Sequence, residues 1–302
     1  MTERKYEFTG EKISVVGATL RRIRAVRDFG NVKKGDWGGY IEKEDNLSHD
    51  GNAWVSGDAK VSWNARVCGN AQVSNNAKIS GNAQVYGSAQ ISGDAEVYGS
   101  AQVCGNAQVC EHARVSGGAW VFGNAQVYDH SRVSGDARVY EHARVSGGAL
   151  VYEHAEVADN AHIFGNAEVC GNAKAYDNAE VFDGAQVADN AQVADTAKIY
   201  GKACIYGNAR IYGNARIFNN TNYVTIGPIG SRFDTTTFFK DANNKISVSC
   251  GCFSGSLEEF RKEVEKVHGD TKYAKVYQAA ANLAEIQILC KEGKELEIKK
   301  DD

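Results

Sequence analysis

Four histidines, His112, His130, His142 and His154, stand at a position that a short repeat most often fills with asparagine, as in "EHARVSGGA" and "DHSRV". His112 and His130 lie 18 residues apart, which is three repeats, and each follows an acid, Glu111 and Asp129. An imidazole next to a carboxylate can serve as a general base, with a second group to orient it. Two imidazoles brought together could also share a metal ion. Against both stands a simpler account, in which "EHA" replaces "GNA" at a solvated corner. His162 falls outside this corner series.

Arginines are the second group. Arg114, Arg132, Arg138 and Arg144 fall within 31 residues of one another, and Arg21, Arg22, Arg24 and Arg27 crowd the start of the chain. Guanidinium forks suit planar oxyanions, so these residues could hold a phosphate or a nucleotide. A solvated face balanced by Glu111, Asp129 and Glu141 is the competing reading. The eight cysteines, Cys68, Cys104, Cys110, Cys170, Cys204, Cys250, Cys252 and Cys290, lack paired CxxC spacing, so we expect them reduced and no structural metal site. Cys250 and Cys252, if on a strand, would point the same way, which suits packing better than a disulfide.

What must position these groups is the repeat. Every sixth residue from Ala53 to Ala215 is alanine except Ser131, and two residues after each stands Val or Ile, except Ala175. The unit is V/I-x-G-N-A-x. A period of six fits neither a helix at 3.6 nor a strand at 2, but it fits a short strand plus a corner. Gly and Asn tolerate positive φ, while β-branched Val and Ile prefer the extended stretch between corners. Three units close a triangular coil of 18 residues, so residues 18 apart stack. About nine coils at roughly 4.8 Å each give a prism on the order of 45 Å long. Val or Ile fills each inner wall, Ala fits where walls converge, and the Ser131 hydroxyl can bond a neighbouring carbonyl.

Over residues 51–220 this pattern resembles the hexapeptide-repeat family, which implies a left-handed parallel β-helix. The hand comes from the resemblance, since the period alone also admits a right-handed solenoid. The lead-in "RIRAVRDFGNVKKGDWGGYIEKEDNLS" is similar to that of bacterial and phage hexapeptide-repeat proteins, often labelled acyltransferases. That resemblance implies a coenzyme A thioester as cofactor and His130 or His112 as general base. However, such enzymes usually interrupt the coils with a loop that walls off the acceptor, and nothing interrupts residues 51–220. Lys198, Lys202, Arg210 and Arg216 offer the charge a coenzyme-binding terminal coil needs, as ordinary solvated faces also do.

Stepping by 18 lines up Tyr128, Ser146, Phe164, Phe182, Tyr200 and Phe218 after the inward residues of one wall. An exposed apolar stripe of this length marks an interface, with other copies or with the chain's own C-terminal helices. Shorter series occur on the other walls, among them Tyr86, Phe122, Tyr140, Tyr176 and Tyr212.

Both ends of a solenoid expose unpaired edges and need caps. We therefore expect a β cap at 1–50, the β-helix at 51–220 and an α+β module with two helices at 221–302. In that module Ser256 and Glu259 form a capping box before Leu257, Phe260, Val264 and Val267. A second helix is expected from about Tyr273 to Cys290, with Tyr273, Val276, Tyr277, Ala280, Leu283 and Ala284 on one face. The segments "GPIGSRFDTTTFF", "CGCFSGSLEEF" and "HGDTKY" look like a module of phage and prophage proteins.

The formal charge of −4, from 34 basic and 38 acidic residues, provides no global field for nucleic acid or an anionic membrane. No apolar run approaches the roughly 20 residues of a membrane span, and the start lacks a secretory stretch. We expect a cytoplasmic protein of a bacterial host. Three functions fit: a non-enzymatic, cofactor-free scaffold that assembles, most simply as a trimer; an acyltransferase with its site between the subunits of a trimer; or a phage counter-defence protein that sequesters a nucleotide or blocks a host protein.

Overall fold

The computed structural model describes residues 3–289. Three antiparallel strands come first, β1 (Tyr6–Val15), β2 (Ala18–Ala25) and β3 (Trp37–Ile41). Two-residue strands then follow every six residues, from β4 (Trp54–Val55) to β31 (Arg216–Ile217). They form a parallel β-solenoid of about ten turns with three walls. The ten-stranded wall runs from Trp54–Val55 to Arg216–Ile217, and the nine-stranded wall from Arg66–Val67 to Arg210–Ile211. The twelve-stranded wall carries β1, β2 and β3 ahead of Lys60–Val61.

Each strand pairs with the one 18 residues on, Gln90 opposite Gln108 and Ile91 opposite Val109. The Trp54 N–H donates to the Ala71 carbonyl at 2.9 Å, and the same bond recurs coil after coil. Every repeat Ala and inward Val or Ile from Ala53 to Ile217 is buried in one continuous core. The Ser131 hydroxyl lies 2.6 Å from the Tyr128 carbonyl and 3.1 Å from that of Val145, so its one proton has an acceptor inside the prism.

Because N–H groups point to the following coil, the first coil is left with free carbonyls and the last with free N–H groups. The flanking segments satisfy several of them. Backbone N–H groups of Tyr40, Glu42 and Ser48 donate to Ala59, Val61 and Val67. The Asn46 amide donates to Ala65 at 2.8 Å, and the Lys5 ammonium to Ala53 at 2.8 Å. Burial, then the nearby Arg27, lowers the Lys5 pKa to about 8. At the far end the N–H groups of Cys204, Arg210 and Phe218 reach Asn220, Thr237 and Asn222 side chains. Since β3 runs parallel to Lys60–Val61 and Leu47 bridges Val67, the N-terminal segment contributes most of a coil beyond the nine expected.

After the solenoid, β32 (Tyr223–Ile229), β33 (Asp234–Lys240), β34 (Ile246–Cys250) and β35 (Phe253–Ser256) form an antiparallel meander. Helices α1 (Leu257–His268) and α2 (Lys272–Leu289) pack on it around Phe238, Val248, Phe260, Val264 and Tyr277. The capping box forms, with Ser256 Oγ accepting from the Glu259 N–H and Glu259 Oε2 from the Ser256 N–H. The face of α2 agrees with expectation at Tyr277, Ala280 and Ala284 and differs elsewhere. Ala274, Tyr277, Ala280, Ala281, Ala284 and Ile288 are buried, whereas Val276 and Leu283 point to solvent. The Arg261 guanidinium donates to Gln278 and Glu285, which ties α1 to α2. Val267 is exposed as well, and Cys290 lies outside the described residues.

Candidate functional site

The corner histidines share a strained backbone setting. Every sixth residue from Gly51 to Gly213 has φ between 55° and 73°, whether glycine, asparagine, Trp63 or an acid. The acids there are bonded to the next coil. Asp129 Oδ2 accepts from the Gly147 N–H at 2.8 Å, Glu153 from Gly171 and Asp195 from Gly213 at the same distance. Glu111 likewise accepts from the Asp129 N–H. These side chains supply acceptors to N–H groups that the ladder leaves unpaired.

His112 and His130 stack as the step of 18 predicts, with ring centroids 4.8 Å apart and planes within 2°. Both sit on an exposed corner. Glu111 and Asp129 are turned to the backbone and do not serve them. Instead His112 Nδ1 lies 3.6 Å from Asp94 Oδ2, one coil earlier. His154 has the same relation to Asp136 at 3.7 Å, on another corner. His162 is half-buried on the ten-stranded wall, where its Nε2 lies 3.1 Å from the Ser146 hydroxyl and its ring leans on Phe164 at 4.4 Å, tilted by 32°. Burial, then Arg144, holds its pKa below the usual imidazole range.

The four solenoid arginines are divided over three walls. Arg114 and Arg132 are neighbours on the twelve-stranded wall, Arg138 is on the nine-stranded wall and Arg144 on the ten-stranded one. Arg114 pairs with Glu96 at 3.3 Å and Arg138 lies 3.9 Å from Glu156. At the N-terminus Arg22 and Arg24 pair with Glu11 and Glu7, while Arg21 covers the Phe8 ring. The structure brings Arg114 and Arg132 together and leaves the others apart.

Phe164, Phe182 and Tyr200 form a ladder, with centroids 4.8 and 5.1 Å apart and planes within 5°. Phe218 continues it, tilted by 36° and exposed, while Ser146 separates Tyr128 from Phe164. Stacked this way, the rings cover one another's faces and present edges outward. A shorter ladder on the nine-stranded wall stacks Phe122 on Tyr140 at 5.0 Å.

One feature escaped sequence reasoning. A cavity of about 380 Å³ in the C-terminal module is lined by Arg232, Cys250, Cys252, Phe260, His268 and Tyr277, among others. Cys250 ends β34, but Gly251 (φ 60°) and Cys252 make the following turn, so the two thiols are not neighbours on one strand face. Arg232 Nη1 approaches Cys252 Sγ at 3.6 Å. The glycine between the cysteines was the available signal for a turn. Among the described residues no three His, Cys, Asp or Glu side chains are placed to hold a metal ion, and no helix is long and apolar enough to cross a membrane.

A family model for the YdcK beta solenoid repeat matches residues 89–105, 125–141 and 209–221. No curated protein matches the chain.

Proposed function

We propose that this β-solenoid repeat protein is a non-enzymatic binding or structural scaffold of phage or prophage origin, which self-assembles and presents the prism surface to partners in the host cytoplasm. The observation that carries this reading is the unbroken ladder. Strands follow one another every six residues from Trp54 to Ile217, and corner carboxylates and amides are bonded to their counterparts one coil away. Side chains held in this way make a rigid surface of fixed pitch, which is what a scaffold offers a partner. The phage assignment rests on the likeness of the chain's flanking segments to phage proteins. Assembly would use the edges of the Phe164–Phe182–Tyr200 ladder and the exposed Phe218, with Tyr128 at its margin.

A second reading, an acyltransferase using a coenzyme A thioester at a site between subunits, has one observation in its favour. His112 faces Asp94 as a general base faces its orienting acid. The two readings separate in a thiol-release assay with acetyl-coenzyme A and a panel of amine and sugar acceptors. The scaffold reading expects no release above the buffer rate. Release by the wild type that falls at least tenfold in His112→Ala and His130→Ala, both still folded, replaces it with the enzyme.

A further inference from the structure

On the nine-stranded wall the residues that follow the inward positions run Phe122, Tyr140, Ala158, Tyr176, Ala194 and Tyr212. One face of Tyr140 is covered by Phe122. The other looks toward the coil of Ala158, where the ladder lacks a ring, and beyond it to Tyr176. Elsewhere a single rung takes 4.8–5.1 Å between centroids with near-parallel planes. One rung is therefore absent between two tyrosines, and because Ala158 is itself only 4% exposed, with neighbouring side chains over it, a flat group would enter above this floor. A cavity of about 210 Å³ lies there, lined by Tyr140, Glu156, Ala158, Asp159, Lys174 and Tyr176, with Ala175 beneath. Ala175 is the one inward position that carries neither Val nor Ile. The volume is below the roughly 300–1,000 Å³ of drug-sized sites, which restricts the occupant to a single ring system.

The ten-stranded wall shows how such a gap is filled. There Ser146 interrupts the series before Phe164, and the protein's own His162 lies against the Phe164 ring at 4.4 Å while bonded to Ser146. A planar nitrogen heterocycle, tilted 32° to Phe164 and hydrogen-bonded at its edge, thus leans over the Ser146 gap from within. At the Ala158 gap the equivalent side chain is Lys174, which cannot stack. Its ammonium lies 2.8 Å from Glu156 Oε2, so a donor and an acceptor stand side by side along one edge of the gap.

We propose that the Ala158 gap binds one planar nitrogen heterocycle of the nucleobase kind, stacked between Tyr140 and Tyr176 and read along its edge by Glu156 and Lys174. Tyrosine faces stack on any base, and the paired donor and acceptor select rings that present both. This site is on a different wall from the Phe164–Tyr200 ladder and holds whether or not copies of the chain assemble. It also differs from the arginine pair at Arg114 and Arg132, which offers charge without a stacking face.

Calorimetric titration of the full chain with adenosine, guanosine and adenosine monophosphate tests it, alongside Ala158→Phe, Ala158→Ser and Tyr176→Ala. Ala158→Phe installs the missing rung and should weaken nucleoside binding at least tenfold while the melting temperature holds or rises. Ala158→Ser leaves the gap open and should bind within twofold of wild type, and Tyr176→Ala should lose about tenfold. Monophosphate binding tighter than nucleoside would add Arg138 or Lys174 contacts to the phosphate, with the same ring site. Absence of binding by the wild type at millimolar nucleoside overturns the proposal, as does an Ala158→Phe protein that binds like wild type. Should Ala158→Phe fail to fold, undiminished binding by Tyr176→Ala overturns it on its own.

Discussion

Single residues at the corners decide whether a coil can close. The left-handed φ at every sixth residue favours glycine, yet acids occupy many of these sites because their carboxylates bond the N–H one coil on. Gly105, with φ 69°, separates the two effects. Gly105→Val should cost about 1–3 kcal/mol, since a β-branched residue is strained there and gains no bond. Gly105→Asp should cost less than Gly105→Val: a Cβ in either would meet the Gly123 backbone at 2.8–2.9 Å and force the coil to shift, but the Asp carboxylate can reach the Gly123 N–H as Asp129 reaches that of Gly147. Urea denaturation of the two variants measures the difference. His162 gives a pH signature. Its folded pKa is held below the unfolded value, so the folded state prefers neutral imidazole. The stability this gives is present above about pH 6.5 and is lost as pH falls below it. His49, whose pKa burial also lowers, adds in the same direction. In thermal melts from pH 7.5 to 5, His162→Gln should flatten the acid decline relative to wild type. An unchanged slope would mean that the imidazole keeps an ordinary pKa.

At the scale of the element, a coil is stable only when both of its edges are paired. Asn46 is buried, donates to the carbonyls of Trp63 and Ala65, and accepts from the Lys43 N–H. Asn46→Ala should cost about 2–3 kcal/mol by leaving first-coil groups buried without partners. Hydrogen exchange should then rise at the first coil before it rises in the middle of the solenoid. The strand and corner positions were legible from the Ala and Val columns, because a solenoid interior tolerates one size of side chain at each place. The histidine's partner was misread: proximity along the chain pointed to Glu111, whereas the step of 18 that aligns the aromatics places Asp94 beside His112. The buried face of α2 was legible at Tyr277, Ala280 and Ala284 and not beyond them, since alanines and larger apolar residues occur on several of its sides. The gap at Ala158 was visible as a small residue in a tyrosine series, but its meaning needed the rung spacing.

For the whole molecule the question is whether the long, regular surface is the working part. The three walls differ in what they present: paired arginines on one, a self-covered aromatic ladder on another, and a broken tyrosine ladder on the third. Balanced charge leaves no strong self-repulsion to oppose contact between copies. The edges of Phe164, Phe182 and Tyr200, with Phe218 at the end, form the apolar strip along which copies would meet. Phe182→Ser with Tyr200→Ser removes two adjacent rungs from this strip while leaving the inward Val181 and Ile199 untouched. The most direct test is native mass spectrometry of the wild type and this double variant at about ten micromolar, with circular dichroism to verify the solenoid. The scaffold account predicts a wild-type assembly, a trimer in its simplest form, and a variant reduced to monomer with its β spectrum unchanged. A wild type that is monomeric, or a folded variant with unaltered stoichiometry, would contradict it.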